Sequence, residues 1–409
     1  MPLRDILKEN HIYHHILNTF SDTVMQNRKP AKNCRQLIIL SCLLAVSIFS
    51  ACTTISPETT VEAIIPLSGQ YSDYGQRLQA GMETAVIRLN RERLQAGKPA
   101  LTLSVTDTRS TSQYAVTAFN RAAARKPAVI IGPGPTDEAR RLTYSANRAQ
   151  LPLVMPVASG DFLTARGNYV LRMCSSDSQQ ADAIADYLFN TLGIQEIAVL
   201  IDLHKEGTYG RNLSQDMAGS FRSRGGRVTA TEGFHNSDKS YREQLQRIIA
   251  AAPQGIFIPA TAPSAARFVR EARLLGYEGW IIGGDAMAEP EFCANLDGEA
   301  GKILFTSQYS DSAATAEGEI FRQEFSRLHS YSPGDCEALG YDAVLAAVRA
   351  REAGETFIDG WTKIEGMEMT CGTFTLDTES NLNHPVFINT IAKDETTGRF
   401  RIQHLQTQE

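Results

Sequence analysis

An apolar run ends at Ile131 and gives way to Gly132-Pro133-Gly134-Pro135, after which Thr136-Asp137-Glu138 opens a helical pattern. A glycine-rich turn from a strand into a helix offers backbone N–H groups and the positive end of the helix dipole. Many α/β proteins hold an anion in this way. The anion expected here is small. No Gly-Lys-Ser/Thr follows, so the turn is not a Walker loop, and proline and Thr136 occupy the later positions of a GxGxxG pattern. Asp137 and Glu138 complement the dipole but would repel a polyphosphate. A few N–H groups and the Thr136 hydroxyl remain, and they suit a monocarboxylate. The same residues also suit an ordinary helix start with Thr136 as its N-cap.

Other chemistry is sparse. The chain has no GxSxG elbow, no HExxH and no CxxC, which argues against hydrolase, zinc and thioredoxin-type sites. His204, His235, His329, His384 and His404 stand apart, as surface or core histidines do. Asp238, within HNSDKSYREQL, reads as a helix start, and Asp311 with Glu317 or Glu319 reads as solvated. Cys174, Cys293, Cys336 and Cys371 could pair in an exported protein, in a pattern that spacing does not decide. No nucleophile–base pair is visible, so an enzyme is not expected. No cofactor or metal is expected either. The net charge of −6, from 40 basic and 46 acidic residues, and the lack of any basic block exclude a nucleic-acid surface.

The elements that must position these residues alternate. LTLSVTD places Leu101, Leu103 and Val105 on one face. AVIIG, LPLVMPV, IAVLID, GIFIPA and WIIGGD are short apolar runs of the kind found in buried parallel strands. Leu78, Met82, Ala85, Val86 and Leu89 form a helical stripe. Ile184 and Leu188 begin another, and SAARFVREARLLG reads as a helix closed by Gly276. This rhythm over 409 residues predicts an α/β protein with parallel sheets. Such sheets bind ligands at the carboxyl ends of their strands. The segments of interest are therefore Pro66–Gly69, Gly132–Thr136, Pro156–Ser159, Thr261 with its neighbours, and Asp285.

The N-terminus differs in kind. Leu37 to Ala51 carries no charge and is shorter than the roughly 20 residues a spanning helix needs. Arg28, Lys29, Lys32 and Arg35 precede it, as in a signal peptide. FSAC, ending at Cys52, resembles the lipobox of bacterial lipoproteins, with Phe49 where a Leu-type residue is usual. This implies a leader over 1–51, read as starting at Met25, a lipidated Cys52, and a tether over 52–60.

Several segments together resemble the type I periplasmic solute-binding proteins, in their Leu/Ile/Val-binding branch. AIIPLSGQYSDYGQRLQAGMETAVIRLN is similar to that family's opening, through Pro66, Ser68, Gly69, Tyr74, Gly75, Gly81 and Asn90. VTDTRST supplies Asp107. VIIGPGPT and LPLVMPVAS resemble its two ligand loops. YVLRMCSSDSQQADAIADYL resembles its crossover, with Arg172, Asp177 and Gln180, and Tyr209-Gly210, AARFVREARLLGYEGWIIGGDA and LGYDAVLAAVRA complete the match. The resemblance implies two lobes, each a parallel sheet flanked by helices, joined by three hinge crossovers. Lobe 1 would comprise 61–175 and 310–371, and lobe 2 would comprise 176–309 and 372–409.

It also implies a ligand set. Thr136 would take an amino-acid carboxylate, where Ser is usual. Ala158 and Ser159 would add backbone groups and a hydroxyl, and Asp285 would pair with the ammonium, one methylene shorter than the usual Glu. Tyr74 and Tyr209 would line the cleft. Where some members place a second-lobe tyrosine, this chain has PATAPS with Thr261 nearby, which implies a smaller or more open wall. The implied function is a lipid-anchored receptor that binds a small amino-acid-like solute and delivers it to an ABC-transporter permease. The alternative is a regulatory or scaffold lipoprotein of the same fold, activating a cell-wall synthase or sensing a ligand, and acting by protein contact.

Overall fold

A computed structural model describes residues 59–408, apart from 166, 204–208, 297–300, 378–381 and 397. The leader, Met25, the lipobox at Cys52 and His204 lie outside the described residues. Thr60, the last residue of the expected tether, belongs to the first strand, β1 (Thr60–Ile65). That strand is buried throughout. Its one charge, Glu62, is matched by Arg125, whose Nε lies 2.6 Å from Oε1.

The first sheet collects β1, β2 (Thr102–Asp107), β3 (Ile130–Ile131), β4 (Leu153–Met155) and β5 (Val170–Arg172) in the order β2-β1-β3-β4-β5, all parallel. Helices α1 (Ser72–Gln95), α2 (Ser112–Ala124) and α3 (Thr136–Ala149) connect them. The chain then crosses to α4 (Asp177–Asp186), whose Ser176 start is a full capping box with Gln179.

The second sheet runs β12-β11-β10-β9-β8-β6-β7. Its parallel part is β6 (Glu196–Asp202), β7 (Arg227–Phe234), β8 (Gly255–Phe257), β9 (Trp280–Gly283) and β10 (Ile303–Ser307). Between these lie α5 (Tyr209–Ser223), α6 (Arg242–Ala250), α7 (Ala262–Leu274) and α8 (Pro290–Ala294). Gly276, at φ +80°, follows α7 as expected.

After β10 the chain returns to the first lobe as α9 (Ala316–Leu328), α10 (Asp335–Ala353) and α11 (Phe357–Lys363). It crosses a third time into β11 (Val386–Lys393) and β12 (Phe400–Gln408). These two strands form an antiparallel hairpin on the edge of β10, so the second sheet is mixed. The sequence reading assigned no strands there.

In both sheets the strand order reverses beside the first strand of the lobe, at β1/β3 and at β6/β8. Ligands of open α/β sheets sit at that crevice. The first lobe is closed from above by α10, which is buried nearly all round, as a helix without a polar face must be. It crosses α1 so closely that a Cβ on Gly81 would lie 1.9 Å from the Glu337 carbonyl oxygen. Among the described residues the four cysteines are free, and no helix is long and apolar enough to cross a membrane.

Candidate functional site

The first-sheet half of the site is built from three loops. After β1, the turn through Leu67 and Ser68 is held by Asp107 at the end of β2. Its carboxylate accepts from the Leu67, Ser68 and Arg109 amides and from the Ser68 hydroxyl, at 2.7 to 3.2 Å. Burial works to raise the Asp107 pKa, but these bonds outweigh it and hold the group below the usual range. After β3, Gly132 adopts φ +119°, and a Cβ there would meet the Ile64 carbonyl oxygen at 2.0 Å, so only glycine fits.

The N-cap of α3 is Pro135, in extended geometry, and not Thr136. Thr136 is the first helical residue, and this frees its hydroxyl to turn sideways. Its Oγ1 accepts the Ser159 amide at 3.2 Å and ties the second loop to the third. Thr136, Ala158 and Ser159 are all buried. The Ser159 carbonyl in turn accepts the amide of Asp177, the first residue of α4, at 3.0 Å.

The second-sheet half centres on Asp285, half-buried just after β9. Tyr209 Oη donates to its Oδ1 at 2.7 Å. Gln180 Nε2 and Gln308 Nε2 donate to its Oδ2 at 3.0 and 2.9 Å. Gln180 Oε1 accepts from the Asp285 amide and from Thr306 Oγ1, and Gln308 Oε1 accepts from the Ser175 amide and hydroxyl. The Gln308 and Tyr309 amides donate to Asp335. Asp285 is thus held by neutral donors, and no cation among the described residues forms an ion pair with it.

Gln308 was missed in the sequence. It follows the apolar run of β10, and the rule that drew attention to residues after the other strands would have found it there. Gln180 was noticed only as part of the crossover.

Tyr74, on α1, lies beside Asp285, Glu289, Asp335 and Cys336, and burial first, then these groups, push its hydroxyl well above its ordinary pKa. One turn on, Arg77 joins the lobes. Its Nε bonds Glu337 Oε1 on α10 at 2.8 Å and its Nη1 bonds Glu289, which precedes α8. Cys336 Sγ also donates to Glu289, at 3.3 Å. Burial raises the Glu289 pKa to about 7 against the pull of Arg77. A second tie crosses from Asp161 to the start of α4, where the Ser178 hydroxyl donates at 2.6 Å.

Thr261 stands apart from these groups. It is exposed at the start of α7, and its amide and hydroxyl both donate to Asn236. Asp238 is four residues ahead of α6 and accepts the His235 amide in a local turn. Glu317 is not solvated as expected. It is buried between Tyr341, whose hydroxyl donates at 2.5 Å, and Arg88. Its partners come from α10 and α1, which local sequence does not reveal. Glu319 is exposed and bonds Arg322. Of the histidines, His384 is buried and the exposed His235 is on the surface.

Glu138, in the first turn of α3, is buried with neither carboxyl oxygen hydrogen-bonded. Burial, with Asp107 and Asp137 adding and the neighbouring Thr108 opposing, raises its pKa to about 7. A carboxyl with a raised folded pKa binds its proton more tightly in the native state. The stability it contributes is present below the unfolded value near 4.5 and is lost as pH rises through about 7. Glu138→Gln should therefore be nearly neutral at pH 5 and stabilising at pH 8, by roughly 2–3 kcal/mol. Urea unfolding at the two pH values checks this, and an equal effect at both would refute it.

The two half-sites differ in kind: one gathers hydroxyl and amide groups, and the other carries a carboxylate that no cation among the described residues pairs. The family model for the periplasmic binding proteins matches residues 59–396. The Leu/Ile/Val-binding protein BraC3 of Rhizobium johnstonii is 24% identical over 312 residues, covering 74% of this chain and 84% of its own. The leucine binding protein LivK of Thermotoga maritima has the same fold, with TM-score 0.76 and 25% identity over 85% of this chain and 98% of its own. A solute binding protein of an ABC transporter from Rhodopseudomonas palustris, in complex with 3,4-dihydroxybenzoic acid, has TM-score 0.73 at 19% identity, over 86% of this chain and 97% of its own. The chain is a binding protein and not an enzyme, and it belongs to the type I periplasmic binding proteins, in the branch of the Leu/Ile/Val-binding receptors.

Proposed function

We propose that this protein is an extracytoplasmic lipoprotein, anchored through Cys52, that captures an amino acid or similar small zwitterion between its lobes and delivers it to an ABC-transporter permease. Lobe 1 is taken as 61–175 with 310–371, and lobe 2 as 176–309 with 372–409. Thr136, Ala158 and Ser159 receive the carboxylate. Asp285, oriented by Tyr209, receives the ammonium, Tyr74 covers the cleft, and Thr261 stands at its open far wall. The observation that carries this reading is Asp285. It is a part-buried carboxylate kept in place by three neutral side chains, with its charge answered by no cation among the described residues. A buried charge needs a partner, and a ligand ammonium supplies it. A ligand that touches both lobes stabilises the closed form through contacts the open form lacks.

The test is thermal unfolding of the mature chain, first unfolded and refolded to strip carried ligand, with each standard amino acid and with small carboxylates including 3,4-dihydroxybenzoate. At 100 times its Kd a ligand adds about 2.7 kcal/mol. The expected result is a raised midpoint with one class of amino acid. A rise with the aromatic acid and with no amino acid would reject the zwitterion in favour of a simple carboxylate.

A further inference from the structure

The surface of the first lobe is divided by charge. Helices α2 and α3 cover the first sheet together and share a buried core of Ala115, Phe119, Ala139 and Leu142. Their other sides are exposed and carry Arg121, Lys126, Arg140, Arg141 and Arg148. Among the described residues none of these five forms an ion pair, whereas Arg125 beside them answers Glu62. On the opposite wall of the same lobe, Arg88, Arg91 and Arg349 pair with Glu317, Glu324 and Glu92.

The helix dipole accounts for only part of this. Arg121 and Arg148 stand in the last turns of their helices, where a cation is favoured. Arg140 and Arg141 stand in the first half of α3, where it is not. Arg140, Tyr144 and Arg148 are spaced by four, so they form one row along α3. Tyr144, in the middle of the row, is 71% exposed. The whole chain has a net charge of −6, so this basic face opposes the overall sign. Arginine and tyrosine are side chains that sit well at the headgroup level of a bilayer, with an apolar body and a polar tip.

The polypeptide enters the lobe beside this face. β1 begins at Thr60, and its Glu62 is held by Arg125, which caps the end of α2. The stretch from Cys52 to Thr60 reaches at most about 28 Å when fully extended. A lipid on Cys52 therefore keeps this end of the lobe close to the bilayer.

We propose that the outer face of α2 and α3 seats the protein on an anionic phospholipid surface through Arg121, Lys126, Arg140, Arg141 and Arg148. This rests on the anchor at Cys52 in the reading above, and not on the choice of solute. Attraction to a charged surface fades within about 8 Å at physiological salt, so the face must touch the headgroups. Each basic residue in contact strengthens binding about fivefold. Tethering makes so weak a contact effective, because it raises the local concentration of the bilayer. The lipid supplies attachment and the basic face supplies orientation. The loops at the carboxyl ends of the strands are not part of this face, so the seat leaves the cleft free.

The experiment is co-sedimentation of the mature chain, without its lipid, on vesicles of phosphatidylcholine or of an equal mixture of phosphatidylcholine and phosphatidylglycerol. Binding is expected on the mixed vesicles only, and it should weaken as salt is raised. The triple variant Arg140→Gln, Arg141→Gln and Arg148→Gln should bind about a hundredfold more weakly, with an unchanged unfolding midpoint. An equal loss of charge on the second lobe, at the exposed Arg222, Arg242 and Lys302, should leave binding nearly unchanged. No binding to the mixed vesicles, equal binding to neutral ones, or equal losses from the two triple variants overturns the proposal. Palmitate labelling of the full chain in cells, compared with Cys52→Ser, reports the anchor separately. Label without vesicle binding overturns the seat and leaves the anchor standing. Vesicle binding without label removes the anchor, and the seating of a tethered protein falls with it.

Discussion

Asp285→Ala is expected to leave the chain folded and to weaken amino-acid binding by about a hundredfold or more. Truncating one partner of a buried charged pair costs 2–5 kcal/mol or more, and every 1.4 kcal/mol is a factor of ten. The fold should tolerate the change because Asp285 is only half-buried. Its donors are neutral, and they lose one acceptor without leaving a buried charge behind. Asp285→Asn is the sharper variant, since it keeps the shape and removes the charge. Calorimetric titration gives the affinity and circular dichroism the fold. Unchanged affinity in both variants would remove Asp285 from the ammonium site.

The second large effect is expected at Arg77. Its guanidinium is nearly buried and answers Glu337, which is fully buried, and Glu289 across the lobes. Arg77→Met leaves both acids facing each other without a cation. Breaking a buried ion pair from one side costs roughly 3–5 kcal/mol, and that loss should appear as a lower urea midpoint at pH 8. Glu289 has its pKa raised to about 7, so near pH 5 it takes a proton and repels Glu337 less. The deficit should therefore shrink as pH falls from 8 to 5. Adding Glu289→Gln and Glu337→Gln to Arg77→Met should recover most of the stability at pH 8. Arg77 also ties α1 to the segment before α8, so the single variant should bind ligand more weakly through a less favourable closed form. A variant as stable as wild type at pH 8 would show that the pair is no more than a surface contact.

The parts of this architecture that local pattern encodes were legible. The apolar stripe from Leu78 to Leu89 is α1, Gly276 ends α7, and the short apolar runs are strands whose carboxyl ends carry the polar groups of the site. Thr136 illustrates a finer limit. Proline before it adopts the extended cap geometry, the helix starts one residue earlier than a threonine cap would require, and the hydroxyl serves another loop. Gln308 and the buried Glu317 mark the larger limit. Each gains its role from partners more than twenty residues away, on other elements; the end of an apolar run would have pointed to Gln308, but nothing within a local window distinguishes Glu317 from a solvated glutamate. The terminal hairpin was missed for a related reason. β12 alternates half-buried and exposed positions with none fully buried, and the hairpin joins the sheet only through β11 on the edge of β10, which lies far back in the chain.

The first lobe contains the opening of the described chain, yet its interior is finished from the other end. The apolar cluster that encloses Val61, Ile65, Leu78 and Met82 is completed by Tyr341, Val344, Trp361 and Phe374. During synthesis the first sheet can form its strands but cannot cover them until α10 and α11 have been made. A nascent chain of this design stays unfinished until its last quarter emerges, with apolar surface open to chaperones or to aggregation in the meantime. If the chain is exported unfolded, as proposed, late completion is an advantage: the stable core is assembled only after the segment that closes it has arrived on the far side.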